Sequence, residues 1–437
     1  EKHFSETDSD RRKEIYAAIN AESQKAAQFA IPNEIDKVYR MMGGSKLNAH
    51  TGFEEIVYQV QLPSNRLRQW ATTEADRFMH PVFRLFQTEL ETVYEEKNRT
   101  LDDKDRIIKE AVLQKLFKHH PYGQQSMIGS VEHLKKPSLR RLYAYYDTYY
   151  VPGNMALFIS GAIDSNEAIR IIDEYFSVWK QKRLPPAKQW QEKPLKGVER
   201  VHVNYLGEEY VLLAFRTARF KHRDLERLQL FDAILGDAQV GLINLNLVLS
   251  QKLRSAGSYI WIFNDYGIQF LWGIPKEGQT LKEVEDLLLG EIERIKKGEF
   301  EQETVHDIIT NVKIEEKKDL ESNETRVDEM RDSFLSFISW KYWIGYLKRF
   351  ERVTKKDIIG MAKKYFKQNY VAGYRHDKQH DVPSIQKPDL EPIVFDPKRQ
   401  SEFMKQVLVM PIQEIEPAYI DPNKDYSVLA DARGATY

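Results

Sequence analysis

Glu89 and Glu96 stand seven residues apart in the run from Leu85 to Arg99, with Val93 between them. At about 100° per residue, seven helical steps return to within about 20° of the starting face, so a helix would place both carboxylates on one stripe. Such a pair can bind a metal ion through one carboxylate while the other orients or tunes the site. It can equally be a solvated helix face, because Glu91, Glu95, Lys97 and Arg99 crowd the same run. Spacing alone leaves both readings open. The histidines are the other candidates. His119, His120, His202, His376 and His380 read as surface or loop residues, and His50 as a packed or solvent-exposed one. Cysteine is absent, which excludes disulfides and thiolate ligands and leaves imidazole and carboxylate as the strong zinc donors.

A chain of 437 residues with 42% hydrophobic content exceeds what one core usually organises, so two compact domains are expected. Lysine plus arginine (65) balances aspartate plus glutamate (66), which leaves no global field to recruit nucleic acid or an anionic membrane. No stretch approaches about eighteen uncharged apolar residues, so no membrane-spanning helix is expected. The sequence opens at Glu1 on charged residues, with no methionine and no apolar signal-peptide core. We therefore expect that a preceding segment has been removed.

These candidates need elements to position them. Arg11 to Phe29 reads as a polar helix, and Asn33 as the cap of a second helix carrying Ile35, Val38, Tyr39 and Met42, stopped by Gly43-Gly44. From Leu47 to Leu62 the period becomes two, which predicts a strand bounded by Pro63. Helices are expected at Ser64 to Met79 and from Phe83 or Leu85 to His119. A buried strand is expected at Met155 to Ile159, and a helix capped by Asp164 through about Trp179.

The proline- and lysine-rich stretch 182–197 reads as a linker between a first domain, 1–181, and a second, 198–382. The second domain is expected to hold strands at Tyr210 to Phe215, Tyr259 to Phe263 and Ile268 to Trp272. Its helices are expected at Asp224 to Leu235 and after Thr280 and Glu301. Leu134, Lys136, Leu139, Leu142 and Tyr146 match Val353, Lys355, Ile358, Met361 and Tyr365 at a constant offset, and each series leads toward Asn154 or Asn369. With the repeated element order this reads as a tandem duplication. The expected class is α+β, with two related α/β domains, each a mainly antiparallel sheet covered by helices on one face. Residues 383–437, with prolines at 383, 388, 392, 397, 411, 417 and 422, read as an extended connector that turns strand-like at Tyr426 to Tyr437.

One ordered series of motifs runs along the chain: Gly43-Gly44, Asn48-Ala49-His50-Thr51, Tyr58, Ala75-Asp76-Arg77-Phe78, Pro81 and Glu89 with Val93 and Glu96-Lys97-Asn98. It continues through His120-Pro121-Tyr122, Ile128-Gly129 and Tyr149-Tyr150 with Pro152 and Asn154-Met155. This order resembles the pitrilysin/insulinase family of zinc metallopeptidases, strongly over roughly residues 30 to 180 and more weakly beyond. The resemblance implies four related domains in two halves, of which this chain supplies most of the first. It also implies one zinc ion held by an inverted His-x-x-Glu-His motif and a later carboxylate. Carried over by position, Glu96 is that carboxylate ligand, Glu89 its supporting carboxylate, and Asn48 and Ala49 belong to the strand that pairs with substrate.

No His-x-x-Glu-His occurs in these 437 residues. The expectation is that the motif, with its general-base glutamate, lies upstream of Glu1. The implied function is a zinc-dependent peptidase acting on peptides or unfolded proteins, inactive without the histidine motif and the C-terminal half. The alternative is a non-catalytic peptide-binding or partner subunit of the same fold. For the compartment, the resemblance points to an exported or periplasmic bacterial protein, and the lack of cysteine suits cytoplasm as well.

Overall fold

The computed structural model describes residues 2–135, 137–380, 396, 398–416, 419–421 and 424–425. Helix α1 (Ser9–Ala27) starts where the Asp8 carboxylate accepts the N–H groups of Asp10 and Arg11. Helix α2 (Glu34–Met41) follows Asn33, which takes a left-handed conformation. It ends at Gly43, at φ +83°, followed by Gly44, where a Cβ would sit 2.7 Å from the Tyr39 carbonyl oxygen. Strands β1 (Ser45–Thr51) and β2 (Ile56–Gln61) pair antiparallel, with Asn48 opposite Gln59 and Ala49 opposite Tyr58.

The single strand expected from Leu47 to Leu62 is therefore a hairpin. A four-residue turn, closed by the Gly52 N–H on the Glu55 carbonyl at 2.8 Å, preserves the period-two pattern on both sides and hides the break.

Helix α3 (Leu67–Met79) precedes α4 (Phe86–Leu101) and α5 (Lys104–Leu116). The expected continuous helix to His119 breaks at Asp102-Asp103, because the Asp103 side chain caps a new start by accepting from Asp105 and Arg106. Helices α6 (Leu139–Tyr149) and α7 (Ser165–Phe176) begin at Ser138 and Asp164, whose side chains cap them. The strand expected at 155–159 does not form. The run has no ladder partner and Leu157 is 39% exposed, so an apolar run alone did not make a buried strand.

After residues 182–197, which form no helix or strand, come β3 (Glu199–Tyr205), β4 (Tyr210–Thr217), α8 (Leu225–Gly236), β5 (Ser255–Ile262) and β6 (Gly267–Ile274). Helix α9 (Leu281–Lys297) opens on a capping box between Thr280 and Glu283, and α10 (Gln302–Asp319) and α11 (Asn323–Leu335) follow. Helix α12 (Lys355–Tyr365) has its own capping box and leads into β7 (Tyr370–Asp377). The sheet order is β3-β7-β4-β6-β5, and only β3 and β7 run parallel. The mixed α/β class and the mainly antiparallel pairing are as the sequence suggested.

Helices α8, α9 and α12 cover one face of this sheet, where Phe231, Leu288, Ile358 and Met361 meet Leu213 and Leu271 in one core. The opposite face is covered by α5 of the first unit. Ile108, Val112 and Leu116 pack on Leu212, Ala214, Phe270 and Val371. The approach is close enough that a Cβ on Gly373 would lie 2.4 Å from Val112 Cγ2.

The matched helices of the suspected duplication are α6 and α12, and Lys136 of that match lies outside the described residues. Ile358 and Met361 are core, whereas Leu142, equivalent to Met361, is 36% exposed. Within the expected connector, helix α13 (Glu402–Leu408) departs from an extended chain. Met404 and Val407 are buried against Val38, Tyr39 and Met42, and Gln69 donates to the Val407 carbonyl at 2.7 Å. Residues 381–395 and 426–437 of that connector lie outside the described residues.

Candidate functional site

Among the described residues β1 pairs only with β2, so its other edge carries backbone N–H and C=O groups without a ladder partner. Asn48, Ala49, His50 and Thr51 are exposed along it. A register shift between Ser45 and Asn48, with Lys46 at φ 50°, bends the start of the strand.

The hairpin turn is held by Tyr122 and by the turn between β5 and β6. Phe53 packs on Tyr122, Trp261 and Phe263 at ring separations of 5.5, 6.4 and 5.4 Å. The Glu54 carboxylate accepts from the Tyr122 hydroxyl, from the Asn264 backbone N–H at 3.0 Å and from the Asn264 side-chain amide at 2.8 Å. Burial pushes the Glu54 carboxyl up, and those hydrogen bonds pull it back only in part. Glu55 meets Arg331 at 3.3 Å, and Lys46 meets Glu324 at 2.7 Å, so α11 flanks the hairpin. Below it, the Tyr58 and Tyr150 hydroxyls lie 2.9 Å apart and the Arg77 guanidinium covers the Tyr58 ring.

Glu89 and Glu96 both lie on α4 and are both exposed. The packed side of this helix is instead Leu90, Tyr94 and Lys97, with the Tyr94 hydroxyl on the Leu134 carbonyl at 2.8 Å. Burial lowers the Lys97 ammonium pKa, against the pull of Glu110. The described hydrogen bonds and ion pairs of the hairpin run to Tyr122, Tyr150, Asn264, Glu324 and Arg331, and none runs to Glu89 or Glu96. Clefts of about 750 Å³ beside Lys252 and of about 300 Å³ beside Asn98 and His380 are lined by neither carboxylate nor by β1.

These residues do not by themselves fit a zinc ion. Among the described residues no three histidine, aspartate or glutamate side chains gather as a metal site. A catalytic zinc needs about three protein ligands, and two exposed carboxylates without imidazole hold it poorly at neutral pH.

His376 and His380 do stand four residues apart with Gln379 where the family motif has glutamate. However, β7 runs through Asp377, so that spacing does not place them on one helix face.

One of the histidine expectations is corrected. His120 is buried at 2% exposure, its Nδ1 accepting from the Tyr122 N–H and its Nε2 3.0 Å from Asp265. His202 and His376 lie on adjacent strands with their rings in contact. His50 is exposed, 3.6 Å from Glu55. Sequence reasoning missed Glu54 and Asn264. Neither has a spacing signal, since they sit in two turns 210 residues apart.

Comparison with known proteins places this fold. The family model described as "Insulinase (Peptidase family M16)" matches residues 21–128, and "Peptidase M16 inactive domain" matches residues 138–312. A "Zinc protease PqqE" of Helicobacter pylori is 22% identical over 345 residues, 76% of each chain. The crystal structure of a protease from Helicobacter pylori matches at TM-score 0.74 and 20% identity, over 78% of this chain and 84% of that one. The periplasmic protease PqqL from Escherichia coli matches at TM-score 0.66 and 18% identity. That match takes in 92% of this chain but 46% of the PqqL chain, so this chain spans less than half of that protein.

The architecture is that of tandem domains of the M16 peptidase family. The chain belongs to the M16, insulinase-like and pitrilysin-like peptidase family.

Proposed function

We propose that this chain is the substrate-gripping part of a zinc-dependent peptidase, in which an extended peptide adds as a strand to the free edge of β1 at Asn48 and Ala49. The observation that carries this reading is that unpaired edge, on a hairpin whose turn is fixed by Glu54 and flanked by α11. Main-chain pairing gives affinity for any extended peptide, and alternate side chains set preference. Glu96 is the carboxylate this chain contributes to the zinc, and Glu89 supports it. The imidazole ligands and the general base come from outside these 437 residues, from a preceding segment of a longer protein or from a partner subunit. The C-terminal half of the family's clamshell supplies the other wall.

A second reading, a non-catalytic peptide-binding or partner subunit, draws on the absence of His-x-x-Glu-His from the sequence and on the match to the inactive-domain model. The reading frame upstream of Glu1 separates the two: a His-x-x-Glu-His there favours the peptidase, and a natural start without it favours the subunit. Both readings expect the 437-residue chain to bind unfolded peptide without cleaving it. Chelator-sensitive cleavage of a quenched fluorescent peptide library by this chain alone would contradict the placing of the histidines. In a protein carrying the motif together with these residues, Glu96→Gln should cost both bound zinc and turnover. Glu89→Gln should cost about 10 to 100-fold, as supporting residues do.

A further inference from the structure

His202 and His376 lie on the parallel pair β3 and β7. His202 is in register with Tyr374, so His376 is two residues further along and its side chain emerges on the same face of the sheet. His202 Nδ1 is 2.8 Å from His376 Nε2, and the ring planes are 9° from parallel. The other nitrogen of His376, Nδ1, faces the Glu209 carboxylate at 3.7 Å, an ion-pair separation. Thus one imidazole nitrogen from each ring faces the other at hydrogen-bond distance, while a carboxylate stands behind one ring. Outer-shell carboxylates orient metal-binding histidines in this way.

We propose that His202 and His376 form a site for a divalent transition-metal ion of the Cu²⁺ or Ni²⁺ type, distinct from the Glu96 position. Two nitrogens 2.8 Å apart, each about 2.0–2.1 Å from a metal, subtend about 85–90° at it. That is the cis angle of the tetragonal geometry Cu²⁺ and Ni²⁺ adopt. Tetrahedral zinc needs about 3.3 Å between the nitrogens, so the rings would have to part by about 0.5 Å.

The strands fix both backbones, so little ordering is left to pay for on binding. The nearby Arg200 guanidinium is engaged by the Glu285 carboxylate at 2.9 Å. His202 is exposed at the edge strand, so water can complete the coordination shell. The same contact without a metal is an N–H···N hydrogen bond, and the experiment decides between them.

Titration of the metal-free chain with CuCl₂ at pH 7.5, followed by calorimetry and by electron paramagnetic resonance, should show one site with two imidazole nitrogens equatorial to copper. His202→Ala and His376→Ala should each weaken that site at least about tenfold and remove one nitrogen from the spectrum, and Glu209→Gln should weaken it about tenfold. His80→Ala, which removes an exposed histidine elsewhere, should leave it unchanged, and circular dichroism should confirm that every variant is folded. Affinity unmoved by both alanine variants, or a spectrum of the unaltered chain with fewer than two imidazole nitrogens, would overturn the proposal.

Discussion

Asn264, in the β5–β6 turn, donates both its backbone N–H and its side-chain amide to Glu54, in the β1–β2 turn, at 3.0 and 2.8 Å. The same Asn264 amide reaches the Leu335 carbonyl at the end of α11 at 2.8 Å. The candidate peptide-binding strand is thus anchored to the second unit at its turn. Glu54→Ala would strand the Tyr122 hydroxyl and the Asn264 donors. A loss of about 2–3 kcal/mol is expected in denaturant unfolding, with faster amide exchange through β1 and β2. Glu54→Gln, which keeps an acceptor, should lose less. Unchanged exchange in the hairpin of Glu54→Ala would show that the anchor carries no weight.

Gly373 tests whether α5 closes the sheet from the far side. Its added Cβ would stand 2.4 Å from Val112 Cγ2 and 3.1 Å from Ile108 Cγ1. Gly373→Ala should therefore cost about 1–3 kcal/mol by overpacking, and Val112→Ala in the same chain should recover part of that cost. Additive losses in the double variant would place α5 elsewhere.

A pH signature is expected at Asp232. Burial pushes its carboxyl up, against hydrogen bonds from Ser258 at 2.7 Å and Gln269 at 2.6 Å. A raised folded pKa means that the folded state holds the proton more tightly than the unfolded chain, where it titrates at about 3.9. Its contribution to stability is present below that pH and is lost as pH rises through the raised value. Asp232→Asn should therefore gain stability relative to the unaltered chain across that window and then level off. Paired urea titrations from pH 4.5 to 8 read the difference, and a gap that narrows with rising pH would reverse the sign of this account.

Element types were largely legible because amphipathic periods and caps are local. Asp164, Thr280 and Thr354 cap helices through their own neighbours, and their signals survive in sequence. The misses share a different cause. The Gly52 turn and the Asp103 cap interrupt patterns that look continuous, and 155–159 lacks a strand to pair with. The spacing of Glu89 and Glu96 suits one helix face, but nothing in that spacing says whether the face meets solvent or a partner. Side chains brought together by the sheet, such as His202 with His376, are 174 residues apart and leave no local trace.

The central claim is that peptide pairs with the free edge of β1. Amide hydrogen exchange of the full chain, with and without a saturating unfolded peptide, tests it most directly. The account predicts slowed exchange within Lys46 to Thr51, with β4, at the centre of the five-stranded sheet, unchanged. Peptide binding that leaves Lys46 to Thr51 exchanging as before, while protecting another surface, would contradict it.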